Sequence, residues 1–316
     1  MQFSGPVLVT GGAGFIGSHI VDRLTDDGIE VKALDNLATG IISNLSKSKN
    51  KKTFSFIKGD LKNFQEINFS LKNIKVVFHM AADPEVRTGF GDPGSSFREN
   101  VRNTFNLLEE IRKSNIEKFV FVSSSAVYGD AKILPTPEDY GPLFPISAYG
   151  ASKLACEAYV SSYCHNYGIK GYIIRPANVI GARGRHGVTW DFINKLKKNN
   201  DKLEVLGDGE QTKSYIHIND AVDGILTTLN SPKKIEVFNL GSEDKVKVID
   251  IAKIVCKNMN FLNTKIVTTG GIDGGRGWKG DIKEAHLDIS KLKNLGWKPK
   301  LSSAESVDLA SKELQL

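Results

Sequence analysis

Short apolar runs recur along the first 240 residues and alternate with stretches that have helical spacing. The runs are rich in Val, Ile and Phe and hardly alternate with polar residues, which is typical of strands buried on both faces. They predict strands at Pro6–Thr10, Glu30–Asp35, Phe54–Gly59, Lys75–Ala81, Phe119–Ser123, Gly171–Arg175 and Val237–Leu240. Helical patterns between them include Ile16–Asp26, Val101–Ser114 and Tyr149–Tyr167. This alternation predicts an α/β fold with a Rossmann-type, doubly wound parallel sheet.

From about residue 177 the regular alternation is lost. The polar stretch Asn199–Gln211 and the glycine-rich stretch Gly270–Gly280 replace it. We therefore predict two units, a dinucleotide-binding domain over residues 1–176 and a smaller C-terminal α/β substrate lobe over 177–316. Segments near 216–240 are expected to return to the first domain.

Composition narrows the class of protein. With 316 residues, 40% hydrophobic and 25% charged, the chain is neither disordered, collagen-like nor a disulfide miniprotein. The net charge of +6 suits an anionic small molecule as well as nucleic acid. The lysine-rich run Ser46–Lys52 has no aromatic residues between its charges, so we interpret it as a solvated loop and expect no nucleic-acid partner.

The chain shows no sign of membrane insertion or secretion. No apolar stretch approaches the roughly 18 residues that cross a bilayer, and Met1–Pro6 lacks the pattern of a signal peptide. The three cysteines, an odd number, make no CxxC pair. A reduced, cytoplasmic protein is predicted.

A glycine-rich turn follows the first predicted strand directly. Gly11, Gly14 and Gly17 stand three residues apart and open a helix. Glycines there permit a tight turn and a close approach of the backbone to a pyrophosphate. The helix N-terminus offers N–H groups to the same anion. This arrangement predicts a dinucleotide site.

A carboxylate ends the second predicted strand, 18 residues after the last glycine of the turn. Asp35 would accept hydrogen bonds from the adenosine ribose and repel a 2′-phosphate. No arginine follows at Asn36, Leu37 or Ala38, so NAD is favoured over NADP. Asp60 ends the third strand. Capping of the adenine edge and a plain turn residue are equally supported interpretations of it.

Tyr149 and Lys153 stand four residues apart on a predicted helix and therefore share one face. A cation about 4 Å from a phenol, at an effective dielectric near 20, favours the phenolate by roughly 4 kcal/mol. That corresponds to a pKa lowered by about three units, into the neutral range. Lys153 is also able to hold the cofactor ribose. Upstream, the hydroxyl-rich SSSAVYG motif of residues 123–129 leaves the fifth strand at the carboxyl edge, where ligands bind.

Together these motifs resemble one family. TGGAGFIG at 10–17, DN at 35–36, HMAAD at 79–83, SSSAVYG at 123–129, YGASK at 149–153 and RPANVIG at 175–181 are similar to the extended short-chain dehydrogenase/reductases. Within that family the chain most resembles NAD-dependent nucleotide-sugar epimerases of the UDP-glucose 4-epimerase type. The likeness runs from end to end, through TPE at 136–138, GDGEQT at 207–212 and LGWKP at 295–299.

The resemblance implies roles for individual residues. The catalytic residues would be Ser124, Tyr149 and Lys153. Tyr149 would act as the general base, and Lys153 would be its electrostatic partner. The NAD site implied by it comprises Gly11, Gly14, Phe15, Ile16, Gly17, Asp35, Asn36, Asp60, Leu61, Ala81, Ala82, Asn100, Ser123, Tyr149, Lys153 and Pro176.

The implied reaction inverts C4 of a UDP-hexose. Tyr149 would take the 4-hydroxyl proton while hydride passes to NAD, and hydride would return to the opposite face of the 4-keto sugar. Related dehydratases and decarboxylases carry an acid after the catalytic hydroxyl, where this chain has Ser125 and Ala126. The resemblance therefore favours an epimerase over them.

The resemblance also implies a substrate site, formed by Ser124, Ser125, Tyr149, Asn178, Val188, Lys213 and Arg276. Lys213 stands where the family often has arginine. Arg276 lies two residues earlier than the usual diphosphate clamp, so a structural loop arginine is an alternative. Arg183 and Arg185, in a glycine-rich loop, would face either phosphate or solvent.

The remaining candidates are interpreted as structural. His79 and His217 have no metal-ligand spacing, so no metal is expected. Trp190, Phe192 and Ile193 fit a helix core better than a uracil clamp.

Alternatives to the UDP-hexose reaction stay open. They are an epimerase or reductase of UDP-N-acetylhexosamine, UDP-uronic acid or a dTDP or GDP sugar, and a non-catalytic NAD-binding scaffold. The small Ala285 falls near the position that limits bulk at C2, which predicts that N-acetylated sugars are accepted. A homodimer through Val101–Ser114 and Tyr149–Tyr167 is the family expectation.

Overall fold

The strands lie mostly in the first 240 residues. The structure, a computed structural model, describes residues 5–85 and 91–315, so Met1–Ser4 of the predicted N-terminus lie outside it. The strands are β1 Val7–Thr10, β2 Val31–Asp35, β3 Phe54–Lys58, β4 Val76–His79, β5 Lys118–Val122, β6 Lys170–Pro176, β7 Asn178–Ile180, β8 Lys202–Val205, β9 Thr212–Lys213, β10 Tyr215–His217, β11 Ile235–Leu240, β12 Val246–Lys247, β13 Lys265–Thr268 and β14 Glu284–Ala285.

Helices connect most of these strands. They are α1 Phe15–Asp26, α2 Phe64–Ser70, α3 Pro93–Ser96, α4 Asn103–Ile111, α5 Ala148–Asn166, α6 Val188–Lys198, α7 Ile218–Thr227, α8 Val248–Asn258, α9 Ser290–Asn294 and α10 Ser303–Glu313. Short 3₁₀ turns lie at Ile42–Leu45, Ser125–Tyr128 and Thr228–Asn230, and a π-helical segment spans Phe97–Arg102.

Seven strands form one parallel sheet in the order β11-β6-β5-β4-β1-β2-β3. Each of them coincides with one of the seven predicted strands, with ends shifted by one or two residues. The fold class is therefore confirmed as Rossmann-type α/β. Its strand order reverses between β1 and β4, and ligands of such sheets bind in the crevice at the carboxyl ends of the strands beside this point.

Helices cover both faces of the sheet, which explains why the apolar runs are continuous. Val7 and Val9 of β1 pack in one core with buried residues of α1 and α7. Leu8, on the other side of the same strand, packs in a second core with residues of α4 and α5. Successive side chains of a strand point to opposite faces, so both sets must be apolar here.

A third core lies in the C-terminal half. It is built from α6, α8, α10 and strands β8 and β10, with Phe192, Ile193 and Ile251 among its most buried residues. Small sheets pair β7 with β10, β8 with β13, and β9 with β12 and β14. Strand β11 lies beside β6 at the edge of the main sheet. The division at residue 176 stays a prediction.

The largest departure from the predicted elements concerns Val101–Ser114. The structure begins this region with the π-helical segment Phe97–Arg102 and continues as α4 only to Ile111. The wider turn buries Asn100, which donates to the Ser152 Oγ at 2.9 Å and so ties this segment to α5. Hydrophobic periodicity does not report such an insertion, because the apolar face is kept on both sides of it.

Candidate active site

The glycine turn between β1 and α1 leaves no room for side chains. Gly11 has φ +65°, and a Cβ there would lie 2.7 Å from the Ala81 backbone N. A Cβ on Gly17 would lie 2.1 Å from the Gly11 carbonyl oxygen. A side chain at either position would collide with the backbone, so this tight turn requires glycine. One side of the turn is thereby left open to a ligand.

The first turn of α1 is free to bind an anion. Gly14 is its N-cap and supplies no side-chain hydrogen bond, and no acidic residue lies in that turn. The N–H groups at Phe15 and Ile16 thus point out of the helix start without a capping side chain, as a pyrophosphate site requires. These residues fit the predicted dinucleotide.

Asp35 lies where the ribose carboxylate was predicted. Its Oδ2 accepts the Ala13 N–H at 2.9 Å and its Oδ1 accepts the Leu37 N–H at 2.8 Å. The group is buried, and this burial raises the pKa of the Asp35 carboxyl. Two hydrogen bonds leave further lone pairs on both oxygens, so the carboxylate can still accept from ribose hydroxyls.

Asp60 is a turn residue in this structure. Its Oδ1 accepts the Lys62 N–H at 2.9 Å, which forms a local turn. Its Oδ2 accepts from the Asn36 Nδ2 at 3.0 Å. The turn interpretation is thus supported, and the side chain also holds Asn36 beside the end of β2. Its contact with adenine stays a prediction.

The remaining predicted NAD residues lie around the same sheet edge. Ala81 and Ala82 follow β4, and Pro176 ends β6. The Asn100 side chain accepts the Asp83 N–H at 2.8 Å and so braces the segment after β4. Leu61 is different, because its side chain packs in the core beneath α4. Only its backbone remains available to a cofactor.

Ser124, Tyr149 and Lys153 meet at the carboxyl end of β5. The Ser124 hydroxyl is close enough to Tyr149 to lower the pKa of the phenol. The Lys153 Nζ lies 5.9 Å from the centre of the Tyr149 ring and donates to the Val122 carbonyl at 2.9 Å. Ser147 caps α5 by accepting the Gly150 N–H, which starts the helix two residues before Tyr149. The fold thus brings the three predicted catalytic side chains together.

The prediction that Lys153 lowers the pKa of Tyr149 into the neutral range is wrong for the chain by itself. Burial raises the pKa of Tyr149 to about 12, and the Ser124 hydroxyl only partly offsets it. Burial also lowers the pKa of Lys153 to about 8. Desolvation disfavours both charged forms. The ammonium of Lys153 also has a partner other than the phenol, since it donates to the Val122 carbonyl at 2.9 Å.

The serines on either side of Ser124 have different surroundings. The Ser123 Oγ donates to the Glu157 Oε1 at 2.5 Å in the protein interior, so this side chain belongs to a buried network. Its contact with the cofactor stays a prediction. Ser125 begins the 3₁₀ turn and, with Ala285, lines a narrow crevice on the substrate side.

The two predicted phosphate-binding cations each have an acidic partner. The Lys213 Nζ lies 2.6 Å from the Asp281 Oδ1, in a largely buried pair. Arg276 binds both oxygens of Asp130 at 3.0 Å and also donates to the Asp281 carbonyl. This supports the interpretation of Arg276 as a structural loop arginine. A role in phosphate binding requires it to exchange Asp130 for the ligand.

The other predicted substrate residues lie on neighbouring elements. Asn178 begins β7, and its Nδ2 donates to the Ser214 carbonyl at 3.0 Å. Val188 begins α6. Arg183 is partly exposed and binds the Asp22 Oδ2 at 2.7 Å, and Arg185 is exposed, so a role of either in phosphate binding stays a prediction.

The two histidines interpreted as structural, His79 and His217, make hydrogen bonds within the protein. His79 is buried between the hydroxyls of Thr10 and Thr104, at 2.7 and 2.9 Å, and burial lowers its pKa to about 3. His217 contacts the Glu313 Oε2 at 3.0 Å and caps α7. Among the described residues no cluster of His, Cys, Asp and Glu is arranged to hold a metal ion.

Glu157 and Arg175 were missed as functional candidates. They form a buried ion pair directly behind the site, with 2.7 Å between the Glu157 Oε2 and an Arg175 terminal nitrogen. Two signals were present in the sequence. Glu157 follows Lys153 by one helical turn, and Arg175 is a charge inside an otherwise apolar strand.

Comparison with known proteins identifies the family. The model of the NAD dependent epimerase/dehydratase family matches residues 7–241, which is well over half of the chain. The chain belongs to this family. The NAD prediction and the assignment to the extended short-chain dehydrogenase/reductases are thereby confirmed, and the protein is an NAD-dependent enzyme of the epimerase/dehydratase family.

Relatives of this family member are named as epimerases of several nucleotide sugars and, in other cases, as nucleotide-sugar 4,6-dehydratases. A putative UDP-glucose 4-epimerase from Methanocaldococcus jannaschii is 38% identical over 95% of both chains. A crystal structure of a UDP-galactose 4-epimerase superposes with a TM-score of 0.86, at 40% identity over 98% of both chains. A UDP-N-acetylglucosamine 4-epimerase from Methanobrevibacter ruminantium, in complex with UDP-N-acetylmuramic acid, gives a TM-score of 0.87 at 30% identity over 99% of both.

No helix within residues 5–85 and 91–315 is both long and apolar enough to cross a membrane.

Proposed function

We propose that the enzyme interconverts UDP-glucose and UDP-galactose by NAD-dependent inversion at C4 through a 4-keto intermediate. The observation that carries this proposal is the convergence of Ser124, Tyr149 and Lys153 at the carboxyl end of β5, where the Lys153 Nζ lies 5.9 Å from the centre of the Tyr149 ring. Membership of the family and the names of its relatives support it.

Tyr149 is the proton acceptor in this proposal. NAD, when bound, supplies the hydride acceptor and a positive charge beside the phenol. Tyr149 then takes the proton of the 4-hydroxyl and returns it at the end of the cycle. The Ser124 hydroxyl donates a hydrogen bond to the 4-oxygen of the sugar and stabilises the negative charge that develops on it. Burial raises the pKa of Tyr149 to about 12, and the positive charge of NAD would act in the opposite direction.

The residues after Ser124 favour epimerisation over dehydration. Ser125 and Ala126 form the start of the 3₁₀ turn and carry no carboxyl group. Elimination of water across C5 and C6 needs an acid–base pair beyond Tyr149. Neither position offers one, so the 4-keto sugar would be reduced again without loss of water.

The diphosphate would be held by Asn178, Lys213 and Arg276, with Val188 at the start of α6 beside them. Lys213 and Arg276 keep their acidic partners Asp281 and Asp130 in the ligand-free chain. A diphosphate offers more charge than either carboxylate, so exchange of partners on binding is favourable.

A second substrate class follows from Ala285. Its methyl group and Ser125 line the same crevice. The resemblance places Ala285 near the position that limits bulk at C2, and an alanine contributes only a methyl group there. We therefore propose that UDP-N-acetylhexosamines are also epimerised.

We also propose a cytoplasmic homodimer. Phe105 on α4 and Tyr159 on α5 are 37% and 42% exposed, and their rings pack together at 5.5 Å. Such an aromatic patch is better covered by a second copy than by water. The three cysteines are buried free thiols, in keeping with a reducing compartment.

The proposal is tested by incubating the purified protein with a panel of nucleotide sugars without added NAD. The panel comprises UDP-glucose, UDP-N-acetylglucosamine, UDP-glucuronic acid, dTDP-glucose and a GDP-hexose, and products are followed by NMR. Inversion at C4 of UDP-glucose without accumulation of NADH is expected. Turnover of UDP-glucose but not of UDP-N-acetylglucosamine would contradict the role of Ala285. Loss of water would instead identify a dehydratase.

Tyr149→Phe distinguishes an enzyme from an NAD-binding scaffold. We expect a loss of turnover of on the order of 10²-fold or more, since the proton acceptor is removed, with NAD content unchanged. Tyr159→Phe is the matched control, because it removes a phenol hydroxyl from the exposed side of the same helix. Equal activity of both variants would contradict the proposed role of Tyr149.

A further inference from the structure

A charged pair lies in the interior directly behind the catalytic side chains. The Arg175 Nε lies 3.0 and 3.3 Å from the two carboxylate oxygens of Glu157, and a terminal nitrogen lies 2.7 Å from the Oε2. Both side chains are only 6% exposed. The proposed proton and hydride transfers use neither of them.

Stability alone does not account for such a pair. The cost of taking two charges out of water often exceeds their mutual attraction, and apolar residues of similar volume replace buried pairs without loss of stability. A buried pair that is kept needs another reason, such as fixing one arrangement of the groups bonded to it. The hydrogen bonds of this pair identify those groups.

Glu157 holds the beginning of the segment that carries Ser124. Its Oε1 accepts the Ser123 Oγ at 2.5 Å. Glu157 also lies on α5 one turn after Lys153, which donates to the carbonyl of Val122. Helix α5 thus holds the end of β5 in two ways. Lys153 binds the backbone carbonyl of Val122, and Glu157 binds the side chain of Ser123, the first residue after the strand.

Arg175 holds the end of the same segment. One terminal nitrogen donates to the Tyr128 hydroxyl at 2.9 Å and to the Glu138 carbonyl at 3.1 Å. The Tyr128 hydroxyl donates to the Asn239 Oδ1 at 2.7 Å. Asn239 in turn donates to the carbonyls of Thr136 and Asp288, so the bonding continues into the main sheet and the C-terminal half.

Ser124 lies between these two attachments. It has extended backbone angles, φ −162° and ψ 149°, and its Oγ accepts the Ala126 N–H at 3.1 Å, on the side of the segment that faces Tyr149. Charged side chains thus bind Ser123 and Tyr128, the two ends of the segment at residues 123–128. Both charged side chains belong to the same ion pair, Glu157–Arg175.

We propose that the Glu157–Arg175 ion pair positions Ser124 against Tyr149, so that both act as positioning residues for the reaction. This inference rests on the proposed function, because it assigns the pair a part in that reaction. Displacing a reacting group by about 1 Å costs on the order of 10²-fold in rate. The pair therefore affects turnover through the geometry of Ser124 and leaves the predicted diphosphate contacts of Asn178, Lys213 and Arg276 unchanged.

The first test compares Glu157→Gln with Asp220→Asn in the NAD-loaded enzyme. Asp220 is a matched control, since its buried carboxylate accepts the backbone N–H groups of Lys300 and Leu301 far from Ser124. We expect both variants to melt at lower temperature. Only Glu157→Gln should lower kcat, by on the order of 10²-fold, with KM within about threefold of the wild type. Equal kcat values in the two variants would overturn the proposal.

The double variant Glu157→Met/Arg175→Met separates positioning from stability. It leaves no uncompensated charge, so we expect its melting temperature to rise above that of Glu157→Gln. The hydrogen bonds to Ser123 and Tyr128 stay lost, so kcat should remain low. Recovery of kcat together with the melting temperature would show that the pair serves stability alone.

Hydrogen–deuterium exchange of the peptide covering residues 123–129 gives a readout that does not depend on the substrate. Faster exchange is expected in Glu157→Gln and in the double variant, and wild-type exchange in Asp220→Asn. Unchanged exchange in all three would overturn the inference while leaving the proposed function intact. Conversely, a wild-type enzyme without turnover on the panel would refute the proposed function, and the exchange data would still decide whether the pair holds this segment.

Discussion

At the scale of single residues, burial dominates the chemistry of the site. Tyr149 and Lys153 both lose water, so the phenol holds its proton more tightly and the ammonium holds its proton less tightly than in solution. Both shifts favour neutral side chains in the ligand-free chain. A positive cofactor charge beside the pair would favour the phenolate of Tyr149 and disfavour the ammonium of Lys153.

The buried ammonium predicts a pH dependence of stability. The pKa of Lys153 is about 8 in the folded chain, against its usual value of 10.5. Between these values the unfolded chain binds more protons, so stability rises with pH. From about pH 8 to about pH 10, NAD-free protein should gain about 2 kcal/mol in free energy of unfolding relative to Lys153→Met. Urea unfolding at both pH values checks this, and parallel changes in the two proteins would contradict it.

The glycine turn predicts that Gly17→Ala loses both NAD and stability. The new Cβ would meet the Gly11 carbonyl oxygen at 2.1 Å, and a backbone contact cannot be relieved by a rotamer change. We expect a loss of about 1–3 kcal/mol and little NAD in the purified protein. Gly141→Ala is the control, since no atom lies within 4 Å of its Cβ. NAD content is measured by absorbance of the acid extract, and equal content in the two variants would refute the steric argument.

At the scale of elements, the start of each helix is set by a few polar groups. Ser147 begins α5 and so sets the position of Tyr149. Gly14 begins α1 without a side-chain cap and leaves the N–H groups for a ligand. The cap of α5 fixes where the helix begins, whereas the uncapped start of α1 follows a glycine turn and so leaves its N–H groups open to an anion.

The last helix provides a test of capping. Ser302 and Glu305 form a capping box at the start of α10, which packs in the core of the C-terminal half. Ser302→Ala should cost about 1 kcal/mol in free energy of unfolding, since one N–H group loses its acceptor. Ser302→Thr keeps the hydroxyl and should lose much less. Denaturant unfolding measures both variants, and equal losses would show that the hydroxyl contributes nothing.

At the scale of the whole molecule, Phe105 on α4 and Tyr159 on α5 form an exposed aromatic patch. The proposed homodimer predicts that Phe105→Glu gives a monomer, because a carboxylate would be buried in the interface without a partner. Leu262→Glu, at a site 78% exposed in the C-terminal half, should keep the wild-type mass. Sedimentation velocity measures the masses. A monomeric wild-type protein, or a dimeric Phe105→Glu, would contradict the proposed interface.

The architecture was predictable because it depends on local pattern. Seven continuous apolar runs gave seven parallel strands, since a strand covered on both faces needs apolar residues at every position. The glycine turn was equally clear, as three glycines were needed where backbone approaches backbone. Helix boundaries were less clear, and the π-helical segment at Phe97–Arg102 left no trace in the periodicity.

Spacing along the chain determined that Tyr149 and Lys153 share a helix face and that Ser124 leaves a strand at the ligand-binding edge. It did not determine their pKa values, which depend on how much water the surrounding elements exclude. Nor did it pair Glu157 with Arg175 or Arg276 with Asp130, because these partners are 18 and 146 residues apart and meet only when separate elements pack. Local pattern is encoded residue by residue, whereas desolvation and long-range pairing are properties of the packed chain.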